Sequence, residues 1–415
     1  MSHYKTINAI DIGTSKITTI IAQIDEDDDK INVIAVSSQD ASGFRKGQII
    51  DPQKATDSIE KSIESAERMA GFQIDNISVT FADPHIESAN SHGVIATNSG
   101  SSEINSSDVD RAIEASKAIP LPQGKEIIHY IPRKFSIDGQ DDIMNPIGMN
   151  GNRLEVDTHI LFASSPSLKN LKKCFEEIGI KINQIIYSGI ASSQSVLNDS
   201  EKELGVALID IGGNITTLTV YYESAPIYAA VIPVGANNIT NDLAIGLRLS
   251  LPDANNFKHR LEQVVSSKKF DDEIELSQLE ISDSENKKIS ISTATNGIIK
   301  PRLEEIFSMI LEKINSNSLL NNIPAGIVLT GGGSQTINVK EICSSVIPLP
   351  VRIASPPKVN GIVDEITNPS FSSTIGIIMY IQSQKPNQKK STKKSSSSFS
   401  SITDKIKNLL EPLLP

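Results

Sequence analysis

The chain reads as an α/β protein of two related halves, with a small α/β subdomain inserted in the first half and a linker plus short amphipathic helix at its end. Three observations predict this. The tetrapeptide Ile-Asp-Ile-Gly occurs twice, at 10–13 and 209–212, each time between a buried apolar run and a β-branched run. After residue 83 the alternation of strands and helices breaks, and Gly, Ser and Asn crowd residues 92–107. After residue 384 the composition turns polar and basic, then apolar at helical spacing.

Taken in order, residues 6–38 predict strands at 7–12, 17–24 and 31–37, with the acidic run 25–29 as a solvated turn. A helix follows over 52–70. Asp51 is its N-cap, Pro52 suits the first helical position, and Gly71 lies past its end. Its Ala55, Ile59, Ile63, Ala66 and Ala70 keep one face apolar. Residues 77–81 form a strand. The inserted stretch predicts a helix over 108–118 and strands near 127–137 and 156–163. A helix over 167–178 and a strand over 182–187 return to the first half, and another helix begins over 189–197. The second half repeats the theme with strands at 205–209, 216–222 and 226–233 and a helix over 238–249. The polar, acidic region 253–288 reads as a second insertion. A long helix over 293–315, a strand over 326–330 meeting three glycines, and helices over 338–345 and 371–382 complete the body. The expected organisation is therefore a first lobe at 1–83, an inserted subdomain at 84–165, a return to the first lobe at 166–198, and a second lobe at 199–384 with its insertion at about 240–310. A disordered basic linker at 385–398 and a membrane-binding helix at 399–415 follow.

An apolar fraction of 38% supports globular cores, and with 4% aromatics and no Trp those cores are built from Ile, Leu, Val and Ala. Cys174 and Cys343 lack metal-ligand spacing and read as small residues on buried helix faces, a usage that fits a reducing cytosol. His85, His92, His129, His159 and His259 show no ligand spacing either. No stretch reaches the ~18 apolar residues of a bilayer span, and no signal-peptide apolar region precedes the first strand. The net charge of −11 is uneven. Residues 385–415 hold seven lysines against Asp404 and Glu411, a net of +5, which leaves −16 on the body. An acidic body excludes nucleic acid as the expected partner, and a basic tail suits an anionic surface.

The two hairpins carry the chemistry. A tight Gly turn exposes backbone N–H groups that cradle phosphate oxygens, and an Asp at a strand end holds a metal ion or its water shell. Two such hairpins facing each other would clamp a nucleoside triphosphate from both sides. A third Gly turn, Gly331-Gly332-Gly333, allows close approach of a ligand to the backbone. At the chain end Phe399, Ile402, Ile406, Leu409, Leu410 and Leu413 share one helical face, as an interfacial helix requires.

This order of hairpin, linker helix, hairpin, inserted helix and Gly-rich strand end resembles the actin–Hsp70–sugar kinase ATPase superfamily nearly end to end. Within it the chain is most similar to the FtsA family of bacterial cell-division proteins, through residues 10–16, 145–149, 188–197, 203–213 and 325–332. The resemblance implies an actin-like two-lobed fold with a duplicated ribonuclease H-like core. It places the catalytic carboxylates Asp11 and Asp210 near Mg²⁺, and Gly13, Thr14, Ser15 and Lys16 around the β- and γ-phosphates of ATP. Gly212, Gly213 and Asn214 would take the phosphates from the other side. Gly235, Gly331, Gly332, Gly333 and Lys258 would approach the ribose and adenine. As partners it implies the C-terminal tail of the tubulin-like protein FtsZ, at Lys300 and Arg302, further copies of the chain in a filament, other division proteins and anionic membrane lipid. The protein would then tether FtsZ filaments to the cytoplasmic face of the cell inner membrane at the division site.

The chain also departs from the superfamily pattern. Asn214 and Thr217 replace a Gly and an Asp in the second hairpin, Asn255 replaces a Glu, and residues 188–195 hold no acid. Lost carboxylates remove general bases, so ATP binding with weak or no hydrolysis is expected. The competing reading is a small-molecule kinase of the same superfamily, which has no use for the basic linker and terminal helix.

Overall fold

The computed structural model describes residues 4–25, 28–97, 103–265, 273–275, 288–361 and 366–384. The body is one compact unit up to Tyr380. The linker and the amphipathic stripe lie outside the described residues.

The first Asp-Gly motif lies where the sequence predicts a hairpin. Strands β1 (Tyr4–Ile12) and β2 (Lys16–Asp25) are antiparallel, with Asp11 opposite Thr18 and Ile12 opposite Ile17. β3 (Ile31–Asp40) continues the meander, and the short pair β4 (Phe44–Arg45) and β5 (Gln48–Ile49) leads to α1 (Pro52–Ala70). Asp51 caps α1 by accepting from the Lys54 amide, and Gly71, in the left-handed region at φ 81°, closes it. The buried face carries Ala55, Ile59, Ile63 and Ala66, where each fully covered Ile contributes roughly 1.5–3 kcal/mol. β6 (Asn76–Phe81) then pairs parallel to β1.

Next come β7 (Glu87–Ala96), α2 (Ser106–Ser116), β8 (Lys125–Ile137), β9 (Gln140–Ile143) and β10 (Arg153–Ser164), which make a separate four-stranded sheet ordered β7-β10-β8-β9. α3 (Ser165–Glu177) and β11 (Lys181–Tyr187) rejoin the first sheet, whose order is β11-β6-β1-β2-β3, with the short strand β19 (Asn360–Gly361) pairing parallel to β3 at its edge. α4 (Ser188–Val196) and α5 (Asp199–Leu204) cross to the second half.

There β12 (Val206–Ile211), β13 (Thr216–Tyr222) and β14 (Ala225–Ile232) repeat the meander, followed by α6 (Ala236–Leu247), α7 (Leu251–Val265), β15 (Glu273–Glu275) and β16 (Lys288–Ser290). A π-helical turn at Thr293–Ile299 runs into α8 (Lys300–Ser316). β17 (Ile327–Thr330), α9 (Val339–Val346), β18 (Val351–Ile353), β19 (Asn360–Gly361) and α10 (Ser372–Ser383) finish the body. The second sheet is ordered β14-β13-β12-β17-β18, the same plan as β3-β2-β1-β6-β11. The duplication read from two tetrapeptides is thus a duplication of whole sheets. Each half places its Asp at the end of the central strand, in parallel register with the next strand: Asp11 opposite Thr80, Asp210 opposite Thr330.

Several elements differ from the sequence expectation. β7 forms within the Gly/Ser/Asn-rich stretch because it pairs with β10 over its full length, and pairing overrides its weak strand propensity. Gly93 is required there, since a Cβ would lie 2.4 Å from the Ala112 carbonyl of α2. α7 forms where a polar insertion was expected. Among its described side chains Ala254, Phe257 and Leu261 are buried against the second-half core and Val265 packs on it, and the residues between Ala254 and Leu261 other than Phe257 are polar. The long helix expected over 293–315 is two helices. The Lys300 amide bonds the Thr295 carbonyl five residues back, and Pro301 has no amide to offer.

Candidate functional site

The two halves meet at their carboxylates. Asp11 is held from three hydroxyls. Thr80 Oγ1, across the β1–β6 register, donates to Oδ1 at 2.5 Å and itself accepts from the Ile12 amide at 3.2 Å. From α10, Ser373 Oγ donates to Oδ2 at 2.5 Å and Thr374 Oγ1 at 3.3 Å. Asp210 accepts from Ser192 Oγ of α4 at 2.6 Å. Burial pushes the Asp210 carboxyl up to about 6; the Ser192 hydroxyl opposes this and the neighbouring Asp11 charge adds to it.

The hairpin turns face each other across the halves and touch. The Asn214 amide donates to Thr14 Oγ1 at 3.0 Å, and its side chain donates to the Thr14 carbonyl at 3.2 Å. Asn237 Nδ2 donates to Ser15 Oγ at 2.9 Å and to Asn214 Oδ1 at 3.2 Å. The second turn is itself fixed to the start of α6, since the Ala236 and Asn237 amides donate to the Gly212 and Gly213 carbonyls at 2.9 and 2.7 Å. Lys16 Nζ donates to Ser370 Oγ at 3.0 Å and lies 3.5 Å from the centre of the Phe371 ring. Its pKa is lowered by burial, with the Asp11 charge opposing.

Glycine is demanded by close backbone approach. A Cβ on Gly213 would lie 1.8 Å from Ser15 Oγ, and one on Gly235 would lie 2.6 Å from both turn carbonyls, Gly212 O and Gly213 O. Gly331 has φ 82°, and its Cβ would sit 2.2 Å from Asp210 Oδ1. Gly333 packs on Ile211, and Gly332 faces Ser370.

The structure therefore brings together Asp11, Gly13, Thr14, Ser15, Lys16, Asp210, Gly212, Gly213, Asn214, Gly235, Gly331, Gly332 and Gly333. Lys258 stands one layer behind. It is buried on α7, donating to Thr240 Oγ1 at 2.7 Å and the Ala236 carbonyl at 3.3 Å, and burial lowers its pKa to about 8. Lys300 and Arg302 lie on α8. Lys300 pairs with Glu304 at 3.8 Å. Arg302 forks onto Asp242 of α6 at 2.6 and 3.1 Å and also pairs with Glu305. Phe399, Ile402, Ile406, Leu409, Leu410 and Leu413 lie outside the described residues.

Sequence reasoning missed Thr80, Ser192, Ser370, Phe371, Ser373, Thr374 and Asn237. The signal in the sequence that points to Ser192, Ser373 and Thr374 is the hydroxyl-rich start of two helices, at 188–195 and 372–374.

The donor set fits a magnesium nucleotide. Magnesium takes one or two carboxylates and completes its shell with water and phosphate. Two carboxylates, an ammonium and glycine turns converge here, and no group of three His, Cys, Asp or Glu side chains able to hold a metal occurs among the described residues. The site is not a preformed cavity, because the turns are in contact. A groove of about 460 Å³ lies elsewhere, between the start of β8, α3 and β11.

Comparison with known proteins agrees with this architecture. The family signature described as "SHS2 domain inserted in FTSA" matches residues 84–162, and that described as "Cell division protein FtsA" matches 207–376. The cell division protein FtsA of Borreliella burgdorferi is 36% identical over 413 residues, covering 97% of both chains. That of Bacillus subtilis is 33% identical, covering 92% of this chain and 84% of the relative. Among solved structures, the PilM-PilN type IV pilus biogenesis complex superposes with a TM-score of 0.61 at 13% identity, covering 92% of this chain and 99% of that one. MreB5 of Spiroplasma citri bound to ADP superposes at 0.53 and 15%, covering 91% and 97%. Relatives spanning nearly the whole chain, together with the duplicated sheets and their paired carboxylates, show that this actin-like chain belongs to the FtsA family of bacterial cell-division proteins.

Proposed function

We propose that the protein binds ATP with Mg²⁺ between its two halves, hydrolyses it weakly or not at all, and tethers FtsZ filaments to the cytoplasmic face of the cell inner membrane at the division site. The observation that carries this reading is the contact of two Asp-ended hairpins, one from each half, through Thr14–Asn214 and Ser15–Asn237. MreB5 of Spiroplasma citri, of similar fold, has been solved with ADP and with AMPPNP.

Each residue has a definite task in this reading. Asp11 and Asp210 hold the cation, which neutralises phosphate charge when bound. Lys16 and the amides of both turns hold the phosphates. Gly331–Gly333 and Gly235 give the base and ribose close access to the backbone, with Lys258 supporting the first turn of α6 from behind. Weak turnover follows from the groups beside the carboxylates. Ser192 donates to Asp210 where an acid would activate water, and Thr217 stands opposite Asp210 in the hairpin.

Membrane attachment rests on the basic linker and the apolar stripe of 399–415, and no helix among the described residues is long and apolar enough to cross a bilayer. A single short helix binds reversibly, so self-assembly into filaments strengthens attachment by avidity. The FtsZ tail is assigned to the region of Lys300 and Arg302, and other division proteins join the same assembly.

Vesicle flotation tests the proposal. FtsZ should float with anionic vesicles only when the full-length chain is present, and truncation after Gln384 should leave both proteins in the soluble fraction. FtsZ that floats equally well with the truncated chain would refute the tether.

A further inference from the structure

Two helices, α4 and α10, hold the carboxylates crosswise. α4 follows the last strand of the first half, yet its Ser192 donates to Asp210 of the second half at 2.6 Å. α10 follows the second half, yet its Ser373 and Thr374 donate to Asp11 of the first half at 2.5 and 3.3 Å. Each carboxylate thus accepts from the helix that ends the opposite half, and Asp11 accepts in addition from Thr80 of its own half.

The helices are locked to each other where this exchange occurs. A Cβ on Gly376 of α10 would lie 1.8 Å from the Ala191 carbonyl of α4, so the backbones touch. Ser195 Oγ of α4 donates to the Ser372 carbonyl of α10 at 2.7 Å, and the Ser372 and Thr330 hydroxyls share a hydrogen bond at 2.6 Å. Ser192, Ser372, Ser373, Thr374 and Thr330 are all buried. Hydroxyl-to-carboxylate bonds of this length are charge-assisted and directional. Rotating α4 against α10 would therefore turn both carboxylates, and turning a carboxylate would strain the crossing.

We propose that Ser192 and the Ser373–Thr374 pair are positioning residues that fix, through the α4–α10 crossing, how Asp210 and Asp11 face a bound cation. The inference rests on the reading of the cleft as a Mg²⁺–ATP site.

Titration of ATP into the full-length protein, once with Mg²⁺ and once with EDTA, tests it. Wild type should bind more tightly with Mg²⁺. In Ser192→Ala, and in the double variant Ser373→Ala/Thr374→Val, that Mg²⁺-dependent gain should fall roughly ten-fold while affinity in EDTA stays put, because a carboxylate no longer held in place binds the cation less well and the cation contributes nothing in EDTA. Ser193→Ala serves as the control. Its hydroxyl bonds the Ile190 carbonyl and Tyr221, touches no carboxylate, and should leave the gain unchanged. Hydrogen exchange supplies the second readout: Mg²⁺–ATP should protect the α4 and α10 amides in wild type and less so in Ser192→Ala. A wild-type gain in both variants, or an equal loss with and without Mg²⁺, would overturn the inference while the nucleotide reading stands. Absence of ATP binding by wild type would overturn the nucleotide reading, and the inference with it.

Discussion

Asp210 carries most at the residue scale. It closes the central strand of its half, lies under Gly331, and depends on one hydroxyl for orientation. Replacing Asp210 with Ala should weaken Mg²⁺-dependent ATP binding by roughly ten-fold or more, an electrostatic loss at the cation, whereas Thr217→Ala should change it far less. Isothermal titration of the two variants checks this, and equal losses would argue against Asp210 as a ligand. Gly331→Ala should cost at least about 2 kcal/mol of stability, since it combines a left-handed φ with a Cβ 2.2 Å from Asp210 Oδ1; urea unfolding measures it. Both carboxylates and the glycines were legible in the sequence because Asp and Gly at a strand end report backbone geometry directly. The hydroxyls were not. Ser192, Ser193 and Ser195 look alike in sequence, yet they bond a carboxylate, a tyrosine and a helix carbonyl respectively. Only the crossing of α4 with α10 distinguishes them.

At the scale of elements, the hairpins, α1 and the central strands follow from periodicity and caps. β7 and α7 do not, because their stability comes from long-range pairing and from a narrow apolar stripe. The junction of the inserted sheet with β11 was equally hidden, and it carries a pH dependence. His129 of β8 accepts the Tyr187 amide at 2.9 Å through Nε2, and His159 of β10 bonds Asn90 at 2.8 Å. Burial lowers their pKa values to about 4 and about 3, with the Arg133 and His129 charges adding at His159. Both are therefore neutral when folded and protonate more readily when unfolded. Their contribution is whole above the unfolded pKa of about 6.5 and drains away as pH falls towards the folded values. By pH 5 each should have cost up to about 2 kcal/mol. Urea unfolding at pH 7.5 and 5.0 should show this loss, and His159→Gln should show a smaller one. An unchanged pH dependence in that variant would mean that His159 is not the group titrating.

At the scale of the whole molecule, two similar sheets with one carboxylate each were readable from a repeated tetrapeptide, whereas the tail read from its charge lies outside the described residues. The contact between turns was not readable, since Thr14–Asn214 and Ser15–Asn237 join residues some two hundred positions apart. For the membrane helix proposed at 399–415, ~1.5–3 kcal/mol per buried side chain is set against ~1–2 kcal/mol per ordered residue, which predicts marginal attachment. Leu409→Glu should release the protein from anionic vesicles, and salt should weaken binding by screening the lysines; co-sedimentation reads both. For the FtsZ tail, Arg302→Glu should lower tail-peptide affinity in fluorescence anisotropy. Asp242→Asn supplies the comparison, because Arg302 already forks onto Asp242. If both variants weaken binding alike, the ion pair shapes the surface and Arg302 does not contact the tail.

A crystal structure with Mg²⁺ and AMPPNP tests the nucleotide site proposed between the two hairpins. The triphosphate should lie between residues 11–16 and 210–214, with the cation beside Asp11 and Asp210. The Asn214–Thr14 and Asn237–Ser15 hydrogen bonds, now 3.0 and 2.9 Å, should open to admit it. A nucleotide bound elsewhere, with both of those hydrogen bonds intact, would contradict the account.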